Sequence, residues 1–204
     1  MITAREALTR LKQGNRDFLA IDRSHIEIDA GKRTELIKEQ KPFAIILGCS
    51  DSRVPAEIIF AQGLGDLFVI RIAGNIVAPS QIGSIEFAAE QFGTRLVVVL
   101  GHSSCGAVSA TLEQLKNPGE ARSANLHSIV SRIVPGIEHL TNDDSVAPEE
   151  LLGCAVRANI EASVKKLRHG SAILEDLVTN DGLLIVGAEY NLESGVIDFF
   201  DDAD

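Results

Sequence analysis

The stretch FAIILGCSDSR, residues 43–53, runs an apolar segment straight into a loop that holds a cysteine, an aspartate and an arginine. Pro42 and Gly48 bound the apolar part, and a short run closed in this way reads as a strand buried on both faces. Such strands belong to parallel sheets covered by helices, so this segment decides the fold class. LFVIRI (67–72), RLVVVLG (95–101) and GLLIVGA (182–188) repeat the pattern, which makes four parallel strands. The closing GVIDFF follows the last of them after the turn-like NLESG, a spacing that predicts an antiparallel edge strand.

Helical periodicity fills the intervals, over about 83–92 and 106–116 and then through a longer stretch, about 122–178, broken near Pro135 and across TNDDSVAPEE (141–150). Residues 3–20 read as an amphipathic helix with Ala7, Leu8, Leu11 and Phe18 near one face and Thr3 as its cap. Alternating strands and helices imply βαβ units with right-handed crossovers. The expected fold is therefore α/β: a mostly parallel central sheet, four parallel strands plus an antiparallel edge strand, flanked by helices and preceded by an N-terminal helical arm. One domain is expected over 1–204, with the arm at 1–40, the α/β core at 41–190, and the edge strand and acidic tail at 191–204.

With 204 residues, 45% of them hydrophobic, the chain is long enough for one substantial core. A formal net charge of −10 argues against nucleic acid and anionic membrane as partners, because both carry like charge. A small neutral substrate fits better. The N-terminal MITAREALTRLKQGNRDFLA lacks an apolar run of about 7 to 15 residues followed by a cleavage site, so the expected location is the cytoplasm. No stretch approaches about 18 uninterrupted apolar residues, which excludes a transmembrane helix. The three cysteines, Cys49, Cys105 and Cys154, are too few and odd in number for a disulfide framework.

In an open α/β sheet functional groups gather beyond the carboxyl ends of the strands. Two loops qualify: GCSDSR, with Cys49, Asp51 and Arg53, and GHSSCGA, with His102 and Cys105. Together they offer two thiolates and an imidazole, a donor set for tetrahedral zinc with one position left open. Asp51 could then accept a hydrogen bond from a water at that position, and Arg53 could hold Asp51 ionised and oriented through a bidentate pair. Cys154 falls on the apolar side of a helix and reads as a core residue. His25, His127, His139 and His169 read as surface or satisfied histidines. GLGDLF (63–68) lacks the third glycine of a dinucleotide fingerprint and precedes a strand. A cysteine phosphatase needs a longer loop between nucleophile and arginine than Cys49 to Arg53 provides. A metal-free Cys/His hydrolase using His102 and Cys105 leaves the first loop unexplained.

CSDSRVPAE followed by GHSSCGAV resembles the β-class carbonic anhydrases, and the likeness extends through GDLFVIRIAGNIV, GSIEFA and GAEYNLESGVIDF. The resemblance implies one zinc ion per chain on Cys49, His102 and Cys105, a catalytic dyad of Asp51 and Arg53, and a substrate pocket of Gln40, Phe68, Phe87 and Gly106. It implies reversible hydration of carbon dioxide to bicarbonate and a proton by a zinc-activated water. Part of the pocket would come from a neighbouring subunit in a homodimer, and dimers would pair into a homotetramer, with the N-terminal helix across the partner burying Leu8, Leu11 and Phe18. An intrachain packing face explains those three residues equally well. One subgroup closes its site by placing the dyad aspartate on zinc, stabilised by a bicarbonate held by Trp, Arg and Tyr. Arg71 and Tyr190 match two of these, but Ile46 stands at the tryptophan position and Gln40 matches the open subgroup, so an open site is expected. A hydrolase of carbonyl sulfide or carbon disulfide, and a non-catalytic zinc-binding protein, are the alternatives.

Overall fold

In a computed structural model, residues 2–22, 24, 29–117, 123–142 and 145–200 are described. His25 and the last four residues of the acidic tail lie outside them. Five strands form one sheet: β1 (Ala44–Gly48), β2 (Leu67–Arg71), β3 (Leu96–His102), β4 (Leu184–Tyr190) and β5 (Ile197–Phe200). Their order is β2-β1-β3-β4-β5, parallel throughout except for the antiparallel β4/β5 pair. The expected fold class holds.

Strand pleating sends alternate residues to opposite faces, and both faces are apolar. Ile45, Leu47, Val97 and Val99 join the core on one side, with residues from α4 (Pro79–Gln91), α5 (Gly106–Lys116), α6 (Ala124–Ile137), α7 (Leu151–His169) and α8 (Ala172–Asn180). Ala44, Ile46, Leu96, Val98 and Leu100 join the other, under α1 (Ala4–Leu19) and α3 (Ala56–Ile59). The arm also holds the short α2 (Ala30–Leu36).

Thr3 caps α1 in a reciprocal capping box with Glu6. The helix buries Leu8 and Leu11 against its own sheet, with Phe18 packed at the margin, so the intrachain face accounts for these residues. The long helical stretch is broken near Pro135, as expected: Pro135 lies in the last turn of α6, which stops at Ile137 and passes into a 3-10 turn over Glu138–Asn142. The expected break across 141–150 also holds, since α7 begins only at Leu151, and a further, unexpected break falls at Gly170 and Ser171, where the Ser171 hydroxyl accepts from the Leu174 N–H and starts α8. No helix among the described residues is long and apolar enough to cross a membrane.

Candidate metal centre

After β1 the chain builds β2 on one side, and β3 is laid on the other, so the loops after β1 and β3 diverge from adjacent strands. This is the crevice where α/β sheets bind ligands. Cys49 directly follows β1, His102 is the last residue of β3, and Cys105 caps the amino end of α5. Between the last two, Ser104 adopts a left-handed backbone with φ of 56°, a conformation costly for a residue with a Cβ. The reversal lets two side chains three residues apart converge. The Cys49 and Cys105 sulfurs and a His102 ring nitrogen all lie within 4.8 Å of one another, and all three residues are buried.

The histidine is set by its neighbour. Its Nδ1 is 2.9 Å from the Ser103 carbonyl, which can only accept, so Nδ1 carries the proton. That leaves Nε2 as a buried lone pair with no hydrogen-bond partner. The Cys49 thiol is pushed down, chiefly by the Cys105 thiol donating to it, with the backbone at Asp51 and Gly74 adding to the effect against burial. Cys105 moves up for the converse reason, because a second negative sulfur beside Cys49 is disfavoured. Two thiolates side by side are thus disfavoured without a cation. A dication would stabilise both sulfurs as thiolates and satisfy Nε2, which is the requirement of a Cys2His zinc site with an open fourth position.

Asp51 borders this cluster, its Oδ2 3.8 Å from His102 Nε2. Arg53 grips it at three points: Nε to Oδ1 at 2.9 Å, Nη2 to Oδ2 at 2.8 Å, and the Arg53 backbone N–H to Oδ1 at 3.0 Å. The guanidinium holds the carboxyl well below the usual carboxylate range. Arg71, at the end of β2, braces the same loop by donating to the carbonyls of Cys49 at 3.0 Å and Asp51 at 2.5 Å. Gly74, whose φ is 67°, donates its N–H to the Cys49 sulfur at 3.4 Å. Asn159 and Ser163 of α7 fix that segment through the carbonyls of Gly74 and Asn75, at 2.9 and 3.3 Å.

Residues 44–197 match the family model for carbonic anhydrase. Carbonic anhydrase 2 of Mycobacterium tuberculosis is 38% identical over 185 residues, covering 91% of this chain and 87% of that one. The carbonic anhydrase of Mycolicibacterium smegmatis is 37% identical over 193 residues, 92% and 89% of the two chains. Among solved structures, the β-carbonic anhydrase CafA of Aspergillus fumigatus aligns with a TM-score of 0.73 at 27% identity, over 86% of this chain and 85% of that one. The β-carbonic anhydrase CcaA aligns at 0.76 and 26% identity, over 97% and 92%. The chain belongs to the β-class carbonic anhydrases.

Against that family the pocket residues are distributed unevenly within one chain. Gly106 is the first residue of α5, immediately after Cys105. Phe68 pairs with Ile45, partway along the sheet, and its ring stands 6.3 Å from Phe87 and 6.0 Å from Phe92. Phe87 is 52% exposed on α4. Gln40 is exposed and precedes β1, whereas Cys49 follows it, and a five-residue strand spans roughly 16 Å. Ile46 and Tyr190 are both buried in the core under α1, and the Arg71 guanidinium donates to backbone. Cys154 is free and only half-buried, and it takes no part in the cluster. His127, His139 and His169 are exposed. Sequence reasoning missed the supporting roles of Arg71, Gly74, Asn159 and Ser163; the glycine in RIAGN was the one local signal.

Proposed function

We propose that the protein catalyses the reversible hydration of carbon dioxide to bicarbonate and a proton, with one zinc ion on Cys49, His102 and Cys105 and with Asp51 and Arg53 as its catalytic dyad. The observation that carries this reading is the buried three-donor cluster with an ionised, doubly gripped carboxylate at its rim. Bound there, zinc would supply the Lewis acidity that makes water nucleophilic near neutral pH. Asp51 accepts a hydrogen bond from the attacking water and fixes its lone pair toward the substrate. Arg53 keeps that carboxylate charged and keeps its rotamer, so Asp51 orients water instead of closing over the cluster, which is the open arrangement. A non-catalytic zinc protein would have no use for such a pair.

Carbon dioxide, being apolar, needs a dry wall beside the nucleophile. Gly106 leaves room next to Cys105, and Gln40, Phe68 and Phe87 complete the pocket when a second copy brings its half-covered β2 edge and α4 to the crevice. A homodimer is thus the smallest active unit, and its pairing into a tetramer agrees with the same family. Two ligands that act as thiolates and three free cysteines suit a reducing cytoplasm. We read the whole span 1–204 as one functional domain.

The test is stopped-flow hydration of carbon dioxide by wild type and Asp51→Asn at equal zinc content, from neutral to mildly alkaline pH. Robust wild-type turnover at neutral pH, reduced about 10²- to 10³-fold in the variant, is expected. Turnover only at alkaline pH would refute the open arrangement. Absence of turnover with one zinc per chain would refute the anhydrase reading in favour of carbonyl sulfide hydrolysis or a non-catalytic role.

A further inference from the structure

Behind the metal centre the structure holds a second concave site, a cleft of about 390 Å³ between α6 and α7, within the range of roughly 300 to 1,000 Å³ typical of small-molecule sites. Arg132, Lys165, Lys166 and His169 line it, together with the hydroxyls of Ser131 and Ser163. No carboxylate lines it among the described residues, in a chain whose 29 acidic residues outnumber 19 Lys and Arg. Lys165 and Lys166 make no ion pair among the described residues. Arg132 spends Nη1 on the Ser128 carbonyl and hydroxyl, which leaves Nε and Nη2 without a described partner.

Cations in the last turn of α7 have a structural use, since they offset the helix dipole. That accounts for Lys166 and His169. It does not account for Arg132, which reaches the same cleft from α6, nor for the concavity. We propose that this cleft binds a small hydroxylated organic phosphate, of sugar-phosphate size. The arginine and lysines match a phosphate dianion. Pro135 and Ala162 offer an apolar wall to a carbon skeleton, and Ser163, which donates to Asn75, keeps oxygen lone pairs for a ligand hydroxyl. The cleft borders the segment that touches Cys49. Val77 lines the cleft, Ser163 holds the Asn75 carbonyl, and the neighbouring Gly74 N–H reaches the Cys49 sulfur.

The site stands independently of the proposed reaction and is tested by binding. Zinc-loaded full-length protein is titrated calorimetrically with ribose 5-phosphate, inorganic phosphate and ribose at constant ionic strength. One saturable site per chain is expected for ribose 5-phosphate, weaker binding for phosphate and none for ribose. The double variant Lys165→Glu/Lys166→Glu, and separately Arg132→Gln on the opposite wall, should weaken ribose 5-phosphate by about tenfold or more, whereas exposed Lys116→Glu should leave it unchanged. Unfolding midpoints and zinc content establish that each variant is intact. Lack of saturation, or an affinity unchanged in both cleft variants, overturns the proposal, the latter placing the anion elsewhere, such as at the metal. Inorganic phosphate binding as tightly as the sugar phosphate overturns the assignment to an organic ligand.

Discussion

β3 and β2 both serve the candidate metal centre, yet one is finished within the chain and the other is not. β3 is buried along its whole length between β1 and β4, with helices on both faces, and ends on His102 itself. β2 pairs on one side only, is half-buried from Leu67 to Ile70 and ends on exposed Arg71, with the Phe68, Phe87 and Phe92 rings gathered beside it. The candidate ligand set is therefore built from the interior of a single chain, where close packing holds side chains in place. The candidate substrate wall sits on an edge that one chain leaves open, and an open apolar edge is normally covered or paired.

The largest effect separating the two regions is expected at the end of β3's loop. Cys105→Ala removes a buried residue of the proposed ligand set, so zinc analysed by atomic absorption should fall from one per chain toward none and hydration should vanish with it; full zinc retention would break the claim that the buried cluster is the metal site. Within β3, Leu100→Ala empties a fully buried position and should cost about 2–5 kcal/mol in denaturant unfolding. A cost below about 1 kcal/mol would mean that β3 is no more rigid than the edge. On β2, Phe68→Ala removes a half-buried ring and should cost the chain only about 1–2 kcal/mol. Its main consequence should be a lower mass in analytical ultracentrifugation and reduced activity at unchanged zinc content; an unaltered mass and activity would show that the β2 edge needs no partner. The smallest effect is expected at Cys154→Ala, less than about 1 kcal/mol in stability and no change in zinc content.

Much of this was legible in the chain. Each buried strand announced itself as a short apolar run, and the candidate ligands lay just past two of them because parallel strands present their carboxyl ends to one crevice. The Asp51–Arg53 pair was also readable, since two residues' separation in one loop suffices for a bidentate grip. The end of α6 was readable at Pro135, because a proline beyond the first turn removes an N–H donor and crowds the carbonyl four residues back. The boundary at Ser171 was missed because the capping hydroxyl gives a weak local signal inside a long periodic stretch.

By itself the sequence determined the strand and helix periods, the donor types and their positions relative to strand ends, all of which depend on neighbours a few residues away. Only the tertiary structure decided that β1 lies against β3, and hence that Cys49 meets His102 and Cys105 across an interval of more than fifty residues. It alone brought the Arg71 guanidinium to the Cys49 and Asp51 carbonyls, the Gly74 N–H to the Cys49 sulfur, and the cations of α6 and α7 to one cleft. Strand order and helix docking follow from burying two apolar faces at once. That condition belongs to the whole chain, and no local stretch encodes it.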